Sequence, residues 1–169
     1  SSIVAMDNVF INACNAVVER DDILYHLGDF CWKASLAGHY RQRLKVRKLH
    51  MIRGNHDSSS LAAHCSSFKE IHTLKLQLGA PNTPRLKIAL CHYPLLSWDS
   101  LHHGSFHLYG HSHSGFEEEL NRLFPGRLSM DVGVDNIYKL FGQWRPISLD
   151  EIITYFREGK HDTLFMPKQ

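Results

Sequence analysis

The stretch Ile23-Leu24-Tyr25-His26-Leu27-Gly28-Asp29-Phe30 decides how this chain folds. Ile23 to Leu27 reads as a buried strand, and Gly28-Asp29 ends it with a residue that permits a sharp turn, followed by a carboxylate. Upstream, Met6, Val9, Phe10, Ala13, Cys14 and Val17 recur at helical spacing, so a helix over Met6 to Val18 feeds this strand. Downstream the unit repeats. Ser35 to about Val46 reads as a helix, Leu49-His50-Met51-Ile52 as a strand, and Gly54-Asn55-His56-Asp57 as its exit loop. Helices alternating with strands indicate an α/β fold, in which ligands collect outside the carboxyl ends of the strands.

Beyond this repeat the pattern changes. Ser58 to Phe68 reads as a short helix, and Ile71 to Leu78 and Leu86 to Cys91 as a hairpin turning through Gly79-Ala80-Pro81-Asn82. His92 terminates the second of these strands. Phe106 to Tyr109 is a further strand ending at Gly110-His111, and Leu128 to Val134 another. Ser148-Leu149-Asp150-Glu151 is a capping box that starts a helix over Leu149 to Phe156. No repeat or linker divides the chain, so a single domain over 1–169 is expected.

Bulk composition excludes several function classes. Apolar residues at 43% and charged residues at 21% are ordinary for a globular protein, and no apolar run is long enough to span a membrane. A formal charge of +2 gives no support to a polyanion partner. Cys14, Cys31, Cys65 and Cys91 form no Cys-x-x-Cys pair, and no secretory signal precedes them, so a reduced cytoplasmic protein is expected.

Four segments carry the chemistry: Gly28-Asp29, Gly54-Asn55-His56-Asp57, His92 and Gly110-His111-Ser112-His113. Each falls at a strand end and supplies oxygen or nitrogen ligands suited to a hydrolytic metal. Hydrolysis of a phosphoester at neutral pH needs a deprotonated water, neutralisation of the phosphate charge and an acid for the leaving oxygen. A pair of metals supplies the first two. Asp29 is the natural bridging carboxylate, and Asn55, His92, His111 and His113 are neutral ligands that leave the metals electrophilic.

The ordered set resembles the calcineurin-like metallophosphoesterase superfamily, in particular its small bacterial and phage-type members. Tyr25 to Phe30, Cys91-His92-Tyr93-Pro94 and Leu108 to His113 carry the resemblance further, and it covers nearly the whole chain. It implies two mixed β-sheets packed as a sandwich with flanking helices. It also implies two divalent cations, Mn, Fe, Zn, Co or Ni, that generate the attacking hydroxide. Asp29 would bridge them, Asn55, His92 and His111 would bind the second metal, and His113 the first. His56, together with Asn55, would contact the phosphate, and His56 would protonate the leaving group, with Asp57 orienting it. The family begins with a strand and an Asp-x-His motif that completes the first metal site. No Asp-x-His occurs in these 169 residues, so a strand upstream of Ser1 is expected to be missing.

The expected function is therefore hydrolysis of a phosphomonoester or phosphodiester, such as a small molecule or nucleotide. The alternative is a catalytically impaired phosphate- or nucleotide-binding module that retains one metal site. The run Arg41, Arg43, Lys45, Arg47, Lys48 suits a solvated helix end better than nucleic acid, because no stacking aromatics interleave it. His26 reads as a packed strand residue, and His50, His64 and His72 as ordinary ones. Trp98 and Tyr93 suit core packing and a pocket floor equally, and His102 and His103 suit the surface or substrate contact.

Overall fold

The structure is a computed structural model and describes residues 3–158. The termini of the expected 1–169 domain lie outside these residues. Helix α1 (Ile3–Val17) leads into β1 (Ile23–His26), and α2 (Ala37–Arg43) into β2 (Lys48–Ile52). Both units lie where the helical and strand periodicities place them. Strand β3 (Ser67–Lys69) completes a parallel three-stranded sheet of order β1-β2-β3. The expected helix over Ser58 to Phe68 needs correction here. Only Ser59–His64 is helical, as a 3-10 segment capped by Ser58, and the remainder extends along β2.

A second sheet of order β4-β5-β6-β7 joins β4 (Ile71–Leu76), β5 (Leu86–Cys91), β6 (Phe106–Tyr109) and β7 (Ser129–Asp131). β4 and β5 are the expected antiparallel hairpin, and the other pairs run parallel. Two helices were not legible in the sequence: α3 (Glu117–Leu123) and α4 (Val134–Phe141). The latter cuts short the strand expected over Leu128 to Val134. Helix α5 (Leu149–Arg157) starts at the Ser148/Glu151 capping box, with both reciprocal hydrogen bonds formed.

The main core joins both sheets. Ile52, Ile88, Leu90, Phe106, Leu108 and Met130 are buried together with Ile137 from α4 and Ile152 and Phe156 from α5. The period-two alternation of β2 turns Leu49 and Met51 to the opposite side, against Ala37 and Leu61. His50 stacks on Tyr25, with ring centroids 5.0 Å apart, so it is a packing residue as expected. His26 is half-buried, packs edge-on against Phe30, and is held toward its neutral form by desolvation.

The basic run is also structural. Arg43 bonds the Asn8 side chain, Arg41 the Arg47 carbonyl, Lys45 pairs with Glu19 and Arg47 with Asp21. β1 is an edge strand of its sheet. Beside it runs a cavity of about 370 Å³ whose lining includes Phe10, Ile11, Leu24, Leu27, Asp29 and His113. No helix among the described residues is long and apolar enough to cross a membrane.

Candidate metal centre

The site forms where the exit loops of β1, β2, β5 and β6 meet. At its centre is His92, 2% exposed. Its Nδ1 lies 2.7 Å from the Leu27 carbonyl, which can only accept, so Nδ1 carries the hydrogen. In the neutral ring this leaves a lone pair on Nε2. Three further atoms converge there: Asn55 Oδ1 at 3.0 Å, His111 Nδ1 at 3.0 Å and Asp29 Oδ2 at 3.5 Å.

Such a convergence of oxygen and nitrogen atoms suits a cation that draws them together. Ligands bound at about 2.0–2.2 Å lie roughly 3 Å from their neighbours in a tetrahedral or octahedral shell. The observed separations fit that spacing. Asp29, His92 and His111 form a group of side chains able to hold a metal ion, and Asn55 adds a neutral oxygen to it. The Leu27 carbonyl is the outer partner that fixes the tautomer of a metal-binding imidazole.

The glycines of the motifs are required by this close approach. Gly28 has φ +102°, and a Cβ there would fall 2.2 Å from His92 Nδ1. At Gly54 a Cβ would fall 2.2 Å from Asp29 Oδ1. Asp29 itself sits at φ 56°, a left-handed conformation that a non-glycine residue adopts only when its surroundings impose it.

Asp57 supplies that restraint. Its buried carboxylate accepts from the amides of Asp29 at 2.8 Å, Phe30 at 2.9 Å and Gly54 at 2.8 Å. The resemblance implies that Asp57 orients the imidazole of His56. The structure shows its carboxylate engaged by main-chain amides, so it locks the β1 and β2 exit loops together. His56 donates its own amide to Asp29 Oδ1 at 3.0 Å, and its exposed ring lies against Trp32 at a centroid distance of 4.1 Å.

The β6 exit loop is tied down from two sides. The Gly110 and His111 amides both donate to the His92 carbonyl, at 3.1 and 3.0 Å. From the other side Asp131, wholly buried, accepts from Ser112 Oγ at 2.8 Å, Ser114 N at 3.0 Å and Gly133 N at 2.7 Å. These bonds hold His113 and Ser114 at successive positive φ values of 46° and 64°. Glu117 buttresses the clamp by accepting from the Asp131 amide and the Tyr109 hydroxyl. Burial pushes the Glu117 carboxyl and the Tyr109 phenol up.

His113 stands apart from the cluster. Its side chain is exposed and its Nδ1 lies 2.7 Å from Asp135 Oδ2. The structure thus brings together Asp29, Asn55, His92 and His111, with His56 and Asp57 alongside, and sets His113 against Asp135. Trp98 is resolved as a packing residue, buried and donating to Ser105, whereas Tyr93 lies beside the site, 4.8 Å from the His111 ring. Sequence reasoning missed Asp131, Asp135 and Trp32. The Asp-Val-Gly run at 131–133, again an acid beside a glycine at a strand end, was the available signal for the first.

Comparison with known proteins gives the fold and the family. An uncharacterized protein of Methanocaldococcus jannaschii is 30% identical over 162 residues, which cover 95% of this chain and 80% of that protein. A crystal structure of a protein of unknown function from Aquifex aeolicus superposes with a TM-score of 0.67 at 20% identity, covering 90% of this chain and 86% of that one. It shares the fold. The family model for the calcineurin-like phosphoesterase superfamily domain matches residues 9–141, and the chain belongs to that superfamily.

Proposed function

We propose that this protein is a metal-dependent phosphoester hydrolase whose reaction centre is the Asp29, Asn55, His92 and His111 cluster. The observation that carries the reading is the convergence of oxygen and nitrogen atoms on His92 Nε2 at the carboxyl ends of strands from both sheets. Divalent cations bound there would neutralise phosphate charge and lower the pKa of water. Asn55 and His56 would contact the phosphate, and Asp29 would hold the cations. His56 stands at the rim, exposed and therefore accessible, with its backbone pinned to Asp29, and acts as proton donor to the leaving oxygen. Asp57 acts through the backbone, by fixing Asp29 and Gly54.

Asp29 and His113 are the residues left to hold a first cation, and both line the cavity beside β1. An extended segment there, the strand expected from the resemblance, would pair with the open edge of β1 and bring an Asp-x-His toward them. A paired centre of this kind stabilises both the attacking and the leaving oxygens. A second reading is favoured by one observation, the engagement of His113 with Asp135, which leaves one assembled cluster among the described residues. On that reading the 169 residues act as a phosphate-binding module with a single metal.

Hydrolysis of bis(4-nitrophenyl) phosphate in manganese distinguishes the two. The enzyme reading expects chelator-sensitive turnover that rises sharply when the chain carries an upstream strand ending in Asp-x-His. Absence of turnover in both forms, with phosphate still bound, would establish the binding module.

A further inference from the structure

Trp32 is the most exposed large apolar side chain among the described residues, at 81%. An indole left in water forgoes the stabilisation that burial gives an aromatic side chain, so packing does not explain its placement. Nor does loose backbone explain it. On one side Cys31 is buried in the core that contains Leu49, Met51 and Leu61, with its thiol directed at the Lys33 carbonyl. On the other, the Leu36 amide closes a 3-10 turn onto the same carbonyl at 2.8 Å. The chain is anchored before and after Trp32, and the ring extends over His56.

A second exposed aromatic ring lies beside two of the candidate ligands. Tyr93 follows His92 directly, is 44% exposed, and stands 5.0 Å from the His92 ring and 4.8 Å from the His111 ring. Trp32 thus flanks His56, whose amide bonds Asp29, and Tyr93 flanks His92 and His111. Arg53, the cation at the mouth of the β2 exit loop, is turned to the Asp57 carbonyl and to Glu70 and offers no clamp for a second phosphate.

We propose that Trp32, beside His56, is a stacking platform for a planar aromatic group carried by the phosphoester, such as the base of a nucleoside phosphate. This rests on the phosphoesterase reading for the position of the phosphate. Base stacking on an aromatic side chain contributes about 1–3 kcal/mol, which sets the expected preference at roughly fivefold or more. Stacking is tolerant of base identity, so selectivity is for a ring over no ring.

The test compares adenosine 5′-monophosphate with ribose 5-phosphate, which differ by the base alone, titrated calorimetrically into manganese-loaded protein. Phosphate release is followed separately. The nucleotide is expected to bind at least about fivefold tighter. Trp32→Ala should bring both ligands to the ribose 5-phosphate affinity, while Trp32→Phe should keep most of the preference. Equal affinities in the unmutated protein, no binding of the nucleotide, or a preference that survives Trp32→Ala would overturn the proposal. Hydrolysis without a ring preference would leave the enzyme reading intact and remove the platform. A ring preference without hydrolysis of any ester would do the reverse.

Discussion

His111 and His113 are two residues apart and differ in every physical respect that matters to a metal. His111 is half-buried, its amide bonded to the His92 carbonyl and its ring 3.0 Å from His92 Nε2. His113 is exposed, in a left-handed backbone conformation, with its ring on Asp135. The difference lies in what surrounds each ring. The first joins ligands already fixed by the β-sheet ends, and the second faces a cavity bordered by the open edge of β1. Placing a ligand takes neighbours as well as the right residue type.

The strongest way to break this contrast is at the fixed half. His92→Ala removes the hub on which the other three ligands converge, and cation binding should fall by more than the 10- to 100-fold typical of losing an outer partner. Calorimetric titration with manganese or zinc measures it. A mild loss would show that the cluster is not the binding site.

His56→Ala should slow turnover by about 100- to 10,000-fold on esters with poor leaving groups while sparing cation affinity. The loss should shrink for nitrophenyl esters, which leave without a proton. If alkyl and nitrophenyl esters suffered equally, His56 would not be the acid.

Asp131→Asn sharpens the comparison from the loop side. An amide cannot accept from Ser112, Ser114 and Gly133 together, so the loop carrying both histidines loosens. Cation affinity should fall by about tenfold to a hundredfold. Unchanged affinity, with the melting temperature alone lowered, would limit Asp131 to a structural part. His113→Ala, by contrast, should change cation affinity in the 169-residue chain less than any of these.

The smallest effect expected is one of pH. His107 donates Nδ1–H to the Ala89 carbonyl and accepts the Leu95 amide on Nε2, so its buried ring is satisfied only when neutral. Burial pushes it down to about 4, from about 6.5 in an unfolded chain. Between those values the unfolded chain binds more protons than the folded one, so stability is full above about 6.5 and falls as the pH drops toward 4. Melting temperatures across this range should decline less steeply in His107→Gln. An identical slope would place the acid sensitivity elsewhere.

The strand ends and their ligands were legible because glycine followed by a ligand leaves a mark in one dimension. A Cβ at Gly28 would fall under 3 Å from His92 and one at Gly54 under 3 Å from Asp29, while the candidate ligands Asp29 and Asn55 directly follow these glycines in the chain. β3, α3 and α4 were not legible. Each is only three to eight residues long, and α3 and α4 lack a capping side chain, so their stability comes from packing that periodicity does not record. The clamp by Asp131 was hidden for a related reason: two of its partners, Ser112 and Ser114, are 19 and 17 residues away. Trp32 carries no signal in one dimension, because it lies outside the helical and strand periodicities and gains its place beside His56 only through the fold.

Anomalous diffraction from crystals of the 169-residue chain soaked in manganese tests the central claim most directly. The account predicts one strong peak bounded by Asp29, Asn55, His92 and His111, and a weak one or none beside His113. Equal peaks at both positions, or no peak among the four ligands, would contradict it.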